Sequence, residues 1–317
     1  MLAYIESFAS QLAQTLIVVL IGPLMLGWVN QCRAWLQNRS GAGVLQPYRV
    51  LAKLFQKDVL LAHNASPMFR IAPYVQFGCM VLVASIVPVI ETNLLFAPAA
   101  DVIALVGIFA LARIFSALAA MDVGTAFGSL GARREMLVAS LSEPALLMVF
   151  FTPLLIVQSS SLNTIVDTLA HREFALYPSL AFAAVAFVMV MLAENARVPI
   201  DHPATHLELT MIHEALILEY SGRHLALIEW ATAVKLTVYC SLGIALFMPW
   251  GMAQAGEWQS IPLAVLVLAG KLGVAGAGLA LLETVSAKMR IFRAPEFLGM
   301  AFLLGVLGML TYLLLGA

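Results

Sequence analysis

Residues 193–230 read AENARVPIDHPATHLELTMIHEALILEYSGRHLALIEW, a polar island between two apolar runs of membrane length. The island holds four of the six histidines of the chain. It also holds six carboxylates, namely Glu194, Asp201, Glu208, Glu214, Glu219 and Glu229. Charged side chains in or beside a membrane are costly to place, and those that occur there usually serve a function. The island is therefore the first place to look for a functional site.

The composition is that of an integral membrane protein. Of the 317 residues, 62% are hydrophobic and 11% are charged, and the mean hydropathy is +0.95. A soluble domain has about 25% charged residues, so this composition excludes a soluble enzyme. The net charge of −1 gives no indication of a nucleic-acid partner. The first apolar run lacks a basic segment before it and a cleavage site after it, so we expect a retained helix.

Eight apolar runs are long enough to cross a bilayer, which takes about 20 residues. They cover residues 11–32, 71–90, 101–120, 136–158, 177–195, 225–250, 261–283 and 296–316. Backbone polar groups in lipid must be satisfied within the segment, so each run is expected to be a helix. The sequence predicts an all-α integral membrane protein with one membrane domain, residues 1–317.

The basic residues predict the orientation of these helices. Thirteen of the 17 lie in alternate loops, namely Arg33, Arg39, Arg49, Lys53, Lys57, Arg70, Arg133, Arg134, Arg197, Arg223, Lys288, Arg290 and Arg293. The opposite loops hold only Arg172. Lys and Arg are enriched on the cytoplasmic side of membrane proteins. We therefore expect a protein of the cytoplasmic membrane with both termini outside.

Two shorter helices are predicted between the spans. Residues 44–61 place apolar and basic side chains at helical spacing, which indicates an amphipathic helix in the cytoplasmic interface. It could be an ordinary surface anchor or the lip of an opening toward lipid. Thr205 and Glu208 fit a capping box that begins a short cytoplasmic helix through Leu218. Gly222 is expected to adopt a left-handed conformation after it.

Five ionisable residues lie within the predicted spans, namely Arg113, Glu143, Glu229, Lys235 and Lys271. Each costs on the order of 3 kcal/mol when unpaired, so they are expected to pair or to line a wet cavity. Static ion pairs that fix helix packing are one explanation, and a chain of groups that passes protons is the other. Near the end of helix 5, Glu194 and Arg197 are spaced for a mutual pair.

No metal site is expected in this chain. Cys32, Cys79 and Cys240 are far apart, which argues against an iron–sulfur cluster or structural zinc. His202, His206 and His213 make a zinc site worth weighing, but the H-E-x-x-H pattern is absent. A hydrated cluster of carboxylates and histidines explains this region better.

Several motifs resemble a known family. AENARVPID followed by EYSG resembles the ND1-type membrane subunit of complex I, as do NRSGAGVLQPYRVLAKLF, MDVGTAFGSLGARREML, SEP and LLETVSAKMR. The resemblance covers nearly the whole chain. The family also includes the corresponding subunits of energy-converting [NiFe] hydrogenases, such as formate hydrogenlyase and hydrogenase-4. GVLQPYR and the histidine-containing THLELTMIHEALILEYSG favour this hydrogenase branch, whereas Ser40 and Ala42 depart from the usual first-loop pattern.

The resemblance implies a coupling subunit without a redox centre of its own. Its expected partners are hydrogenase large- and small-subunit-like proteins, an iron–sulfur subunit, antiporter-like membrane subunits and membrane lipid. Iron–sulfur clusters and a NiFe centre would lie in those partners, and quinone binding stays open. The implied proton pathway comprises Glu143, Glu194, Asp201, Glu208, Glu214, Glu219, Glu229, Lys235, Lys271 and Glu283. The implied surface for arm docking or a quinone-chamber lip comprises Arg39, Gln46, Arg49, Asp122, Arg133, Arg134, Glu135 and Arg197.

Two alternatives remain at this point. The chain could be the ND1-type subunit of a quinone-reducing complex I, although its changed loop after helix 5 argues against that role. It could also be a free-standing ion carrier, but carriers commonly show inverted repeats, and the two halves of this chain show none.

Overall fold

The computed structural model describes residues 2–90, 100–171, 178–201, 211–252 and 261–315, and within them the chain is almost entirely helical. The helices are α1 (Leu2–Leu36), α2 (Gln46–Phe55), α3 (Pro67–Ile86), α4 (Val102–Asp122), α5 (Ala126–Val157), α6 (Leu162–His171), α7 (Pro178–Glu194), α8 (His213–Ile217), α9 (Gly222–Phe247), α10 (Ile261–Val285) and α11 (Ala294–Leu315). A short 3₁₀ turn, Ile291–Arg293, precedes α11. This architecture confirms the predicted all-α fold class.

Seven of these helices are long and apolar enough to cross a membrane, namely α1, α3, α4, α5, α9, α10 and α11. The predicted fifth span corresponds to α7, an apolar helix of 17 residues. At 1.5 Å per residue α7 is about 26 Å long, slightly less than the roughly 30 Å hydrocarbon core. The apolar runs thus predicted the spans well, with α7 as the short one.

Helix α5 begins ten residues earlier than its apolar run suggested. The Thr125 side chain accepts a hydrogen bond from the backbone N–H of Gly128 at 3.3 Å and caps the helix. Arg133, Arg134 and Glu135 therefore lie on a helix and not in a loop. The 32 residues of α5 extend for about 48 Å, so its polar first turns can lie beyond the hydrocarbon core.

The predicted short helix in the polar island is described only in part. Helix α8 comprises five residues, while Thr205 and Glu208 lie in 202–210, outside the described residues. Gly222 has the predicted positive φ, at 52°, but it begins α9 and does not end α8. A Cβ at Gly222 would lie 2.5 Å from the carbonyl oxygen of Asp58, so this close approach also requires glycine. No sequence pattern predicted α6.

Helix α9 lies at the centre of the bundle. Of its most apolar window 72% is buried, against 22% for α11. It packs against α1, α2, α3, α7 and α10. Small residues make close contacts with it possible, since a Cβ at Gly22 of α1 would lie 3.1 Å from Val234. Residues on α9 can therefore reach several neighbouring helices.

Two prolines inside helices create acceptors that α9 and the segment before it satisfy. Pro23 in α1 and Pro73 in α3 have no N–H for the carbonyls four residues earlier. The indole N–H of Trp230 donates to the Val19 carbonyl at 2.9 Å. The Tyr220 hydroxyl donates to the Phe69 carbonyl at 3.0 Å. These bonds hold the polar island against α1 and α3.

Candidate functional site

Glu194, the last residue of α7, is the centre of a buried group of charges. Its side chain is 1% exposed. One carboxylate oxygen contacts the guanidinium of Arg113 and lies 3.2 Å from Nζ of Lys235. The other accepts a hydrogen bond from the Ser142 hydroxyl at 2.6 Å. Nζ of Lys235 also donates to the Glu194 backbone carbonyl at 2.6 Å.

Arg113 connects Glu194 to two more carboxylates. Its Nη1 lies 3.3 Å from Glu143 and its Nε lies 3.5 Å from Glu135. We call Arg113, Glu135, Glu143, Glu194 and Lys235 the central charge cluster. Helices α4, α5, α7 and α9 contribute these residues. Three carboxylates face two cations, so the cluster reaches neutrality only when one carboxylate takes up a proton.

A second ion cluster surrounds Glu283 near the end of α10. The two oxygens of Glu283 lie 3.0 Å from Nη1 of Arg197 and 3.4 Å from Nη1 of Arg33. The predicted pair between Arg197 and Glu194 is therefore wrong. Ala196 adopts a positive φ of 49° as the chain leaves α7, and Arg197 faces α10 while Glu194 faces α4 and α9.

The segment after α7 is fixed to the end of α10 at further points. Nζ of Lys288 lies 3.1 Å from Asp201, and the backbone N–H of Met289 donates to the Pro199 carbonyl at 2.8 Å. Asp201 also accepts a hydrogen bond from the backbone N–H of His213 at 3.1 Å. Asp201 thus links the loop, α10 and the start of α8.

Two adjoining cavities lead to the central charge cluster. The outer cavity, about 230 Å³, is bounded by His213, Glu214 and Glu229 and by both ends of the Arg33–Arg197 pair that brackets Glu283. The inner cavity, about 60 Å³, is lined by Arg113, Glu135, Glu194 and Lys235. Both cavities share the residues Asn195, Ala196, His213 and Thr232. The arrangement brings titratable groups of the polar island next to the buried cluster.

A third, interfacial cavity of about 410 Å³ lies between α1, α2 and the segment that connects them. Arg39 and Gln46 line it, and Arg33 and Glu229 line both it and the outer cavity. Tyr48 of α2 fixes this helix to α1 through a hydrogen bond to the Leu20 carbonyl. The three cavities therefore form a series from the interface inward, in which Glu229 lines the interfacial and outer cavities.

Other residues of the predicted proton pathway lie apart from this series. Glu219 is exposed between α8 and α9. Lys271 of α10 donates to the carbonyls of Met248 and Trp250 at the end of α9, and its Nζ lies 5.2 Å from the centre of the Trp250 ring. Glu208, His202 and His206 lie outside the described residues.

The predicted docking surface divides into exposed and internally bonded residues. Arg39, Gln46, Arg49 and Arg133 are exposed. The other four make contacts within the chain: Asp122 accepts from the Ser66 N–H at 2.8 Å, Arg134 donates to the Met211 carbonyl at 2.8 Å, Glu135 pairs with Arg113, and Arg197 pairs with Glu283. The exposed subset is therefore the part best placed to contact a partner.

The EYSG motif has a clear structural role. The Ser221 hydroxyl donates to the Leu60 carbonyl at 3.0 Å and accepts from its N–H at 2.9 Å. Gly222 allows the close approach of Asp58, and Tyr220 stacks on Phe69 with ring centres 4.0 Å apart. The motif therefore holds the segment between α2 and α3 against the start of α9.

Among the described residues, no group of three or more His, Cys, Asp or Glu side chains is placed to hold a metal ion. The three cysteines are free and buried.

Comparison with known proteins identifies the family. Residues 10–314 match the protein family described as NADH dehydrogenase. The chain belongs to this family. Formate hydrogenlyase subunit 4 of Escherichia coli (strain K12) is 31% identical over 296 residues, which are 92% of this chain and 95% of that protein. Hydrogenase-4 component C of the same organism is 36% identical over 252 residues, 79% of this chain and 78% of that protein.

The family also extends to quinone oxidoreductases and to respiratory complexes. An NADH-quinone oxidoreductase membrane protein of Symbiobacterium thermophilum, its H 1 subunit, is 29% identical over 174 residues, 53% of this chain and 52% of that protein. A chain of the archaeal membrane-bound sulfane sulfur reductase shares the fold, with a TM-score of 0.81 and 17% identity over 96% of this chain and 99% of that one. The family predicted from the motifs, and its relatives in the hydrogenase branch, are thus confirmed.

The sequence singled out Arg113 as a buried charge but assigned it no place in the site. In the structure Arg113 connects all three carboxylates of the central charge cluster. Ser142 and Arg33 were also missed. The serine of SEP is adjacent to Glu143, and Arg33 was counted only as a loop residue. Their partners are distant in sequence, so neither spacing nor composition could pair them.

Proposed function

We propose that this chain is a membrane subunit without a redox centre, which anchors a hydrophilic hydrogenase-like arm and couples electron transfer in that arm to proton translocation. Its relatives include subunits of formate hydrogenlyase and hydrogenase-4. The proposed location is the cytoplasmic membrane, with the polar island on the cytoplasmic side.

The observation that carries this proposal is the excess of carboxylates in the central charge cluster. A purely structural network works best when its charges balance, because an uncompensated charge is expensive to bury. Here Glu135, Glu143 and Glu194 share two cations. A proton that arrives or leaves changes the net charge of the cluster and can therefore respond to a charge that appears in a docked arm.

The access route supports the same function. Glu229, Glu214 and His213 line the cavity next to the cluster. Such groups take up and release protons near neutral pH when they are partly desolvated. The anchoring part of the proposal rests on the exposed basic residues Arg39, Arg49 and Arg133, which would face a partner on the cytoplasmic side.

Glu143→Gln tests the coupling. The Glu143 side chain is 33% exposed, and its loss leaves Arg113 paired with Glu194 and Glu135, so the complex should still assemble. We expect membrane vesicles that contain the variant complex to retain redox turnover but to lose proton translocation. Normal proton translocation by an assembled variant would refute the coupling role of the cluster. Glu219→Gln, an exposed change of the same kind, provides the comparison.

Quinone reduction is a second candidate, favoured by the interfacial cavity beside α2. Its volume of about 410 Å³ lies within the usual range of ligand sites, about 300–1,000 Å³, and Arg39 and Gln46 provide hydrogen-bond donors. A short-chain ubiquinone analogue distinguishes the two candidates. Quinone reduction requires that redox turnover depends on the added analogue, whereas the hydrogenase-type role requires no such dependence.

A further inference from the structure

Asn195 lies in the wall between the outer and inner cavities. It is the first residue after α7 and directly follows Glu194. Only 5% of the residue is exposed, yet it lines both cavities. The outer groups His213, Glu214 and Glu229 lie on one side of this junction, and Glu135, Glu194 and Lys235 lie on the other.

The orientation of the Asn195 amide is fixed by its own helix. Its Nδ2 donates to the Met191 carbonyl at 2.9 Å. The Oδ1 atom is buried and accepts no hydrogen bond from the described part of the chain. A flip of the amide would not help, because it would break the bond to Met191 and leave two donors without an acceptor. Buried polar atoms in proteins are almost always bonded to protein or to ordered water.

A donor without a hydrogen bond lies on the inner side of the same space. Nε of Arg113 is buried and makes no hydrogen bond with the described residues, since Glu135 is 3.5 Å away. The inner cavity of about 60 Å³ exceeds the roughly 10–15 Å³ that one water molecule needs. The junction therefore offers space, an acceptor and charged walls, which together suit water.

We propose that Oδ1 of Asn195 holds a water molecule that passes protons between the outer and inner cavities. The inference rests on the proposed coupling function and names the carrier between its two groups of residues. In one transfer, a protonated His213, Glu214 or Glu229 loses its N–H or O–H proton to the water. The water releases another proton, which forms an O–H bond on Glu135 or Glu194. One proton moves inward, no electron is transferred, and the water is regenerated.

An amide suits this task because it does not titrate. Oδ1 accepts a hydrogen bond from the water before and after each transfer, so the water keeps one orientation. A carboxylate at this position would hold the proton, and an apolar side chain would exclude the water. Asn195 is therefore a positioning residue for proton transfer.

Two variants close the junction from opposite sides. Asn195→Leu replaces the amide with an apolar group of similar size, and Thr232→Leu adds volume from α9. Thr284→Leu is the matched control, because Thr284 is exposed on α10, donates to the Ala280 carbonyl of its own helix, and lies apart from the cavities. Asn195→Ser restores an acceptor oxygen. Each variant complex is tested in membrane vesicles for co-purified partners, redox turnover and protons translocated per turnover.

We expect both closing variants to assemble and to lose proton translocation by about tenfold or more, while Thr284→Leu translocates normally and Asn195→Ser recovers most of the loss. Normal translocation by assembled Asn195→Leu and Thr232→Leu overturns the inference. If the closing variants do not assemble, a cryo-electron microscopy map of the native complex decides. Water density within hydrogen-bond distance of Oδ1 supports the inference, and its absence from well-resolved density there overturns it.

Glu143→Gln in the same assay separates this inference from the proposed function. Loss of translocation in Glu143→Gln with normal translocation in the closing variants leaves the coupling function standing and removes the water site. Normal translocation in Glu143→Gln removes the coupling function itself.

Discussion

The indole N–H of Trp230 donates to the Val19 carbonyl at 2.9 Å, which is the carbonyl that Pro23 leaves without a helical partner. The bond joins α9 to the irregular part of α1. Trp230 directly follows Glu229, so the same bond fixes how α9 presents Glu229 to the interfacial and outer cavities. A packing feature thus sets the position of a titratable group.

Trp230→Phe should destabilise the protein while keeping an aromatic ring against Phe77 and Phe55. The Val19 carbonyl loses its donor, and an unsatisfied buried carbonyl costs about 1–3 kcal/mol. The measurement is the thermal unfolding midpoint of the solubilised complex. Trp35→Phe is the control, because Trp35 is largely exposed. Equal midpoints for the two variants would show that the bond contributes nothing.

Tyr220→Phe tests the corresponding bond to α3. Burial raises the pKa of the Tyr220 hydroxyl and the nearby Asp122 carboxylate raises it further, so the hydroxyl stays protonated and remains a donor at neutral pH. The phenylalanine ring still stacks on Phe69, but the carbonyl freed by Pro73 is left unpaired, again at a cost of about 1–3 kcal/mol. The exposed Tyr74→Phe is the control. A stability loss as large in Tyr74→Phe would remove the special role of Tyr220.

The apolar runs predicted most of the fold because lipid permits only helices with internally satisfied backbones. The polar first turns of α5 and the whole of α6 escaped that criterion, since neither continues an apolar run. The resemblance also drew attention to Glu143, Glu194 and Lys235, which the structure brings to one cluster. The pairing within the cluster could not be predicted, because contacts such as Arg113 with Glu194 depend on how distant helices pack.

Arg197 shows the limit of local spacing. Three residues from Glu194, it was expected to pair there, but the left-handed conformation of Ala196 ends the helical register. It pairs instead with Glu283, 86 residues away. A resemblance between motifs indicates which side chains matter, whereas the tertiary structure decides which of them meet.

Glu283→Gln should severely impair folding or assembly. Arg33 and Arg197 would face each other without a counter-charge, and loss of one partner from a buried ion pair costs about 3–5 kcal/mol. Glu283→Asp keeps the charge and should be tolerated better. The measurement is the yield of assembled complex together with its thermal midpoint. Assembly at the native level in Glu283→Gln would contradict the proposed role of this ion cluster.

Lys288→Met should have a smaller effect than Glu283→Gln. The Lys288 side chain is 20% exposed, so water replaces part of its interaction with Asp201. Asp201 also keeps its hydrogen bond from the N–H of His213. A stability loss in the same assay that equals or exceeds that of Glu283→Gln would reverse this ranking of the two contacts.

Lys271 provides the sharpest separation between a structural role and a role in proton transfer. It donates to the last carbonyls of α9, which have no partner within that helix. If this is its whole role, Lys271→Met lowers the thermal midpoint through the lost donors but leaves protons translocated per turnover unchanged in the complexes that assemble. Lys271→Arg keeps a charged donor and should retain more of the stability. The proton-pathway prediction from the sequence requires the opposite result, with translocation lost in Lys271→Met complexes whose stability is near that of the native protein.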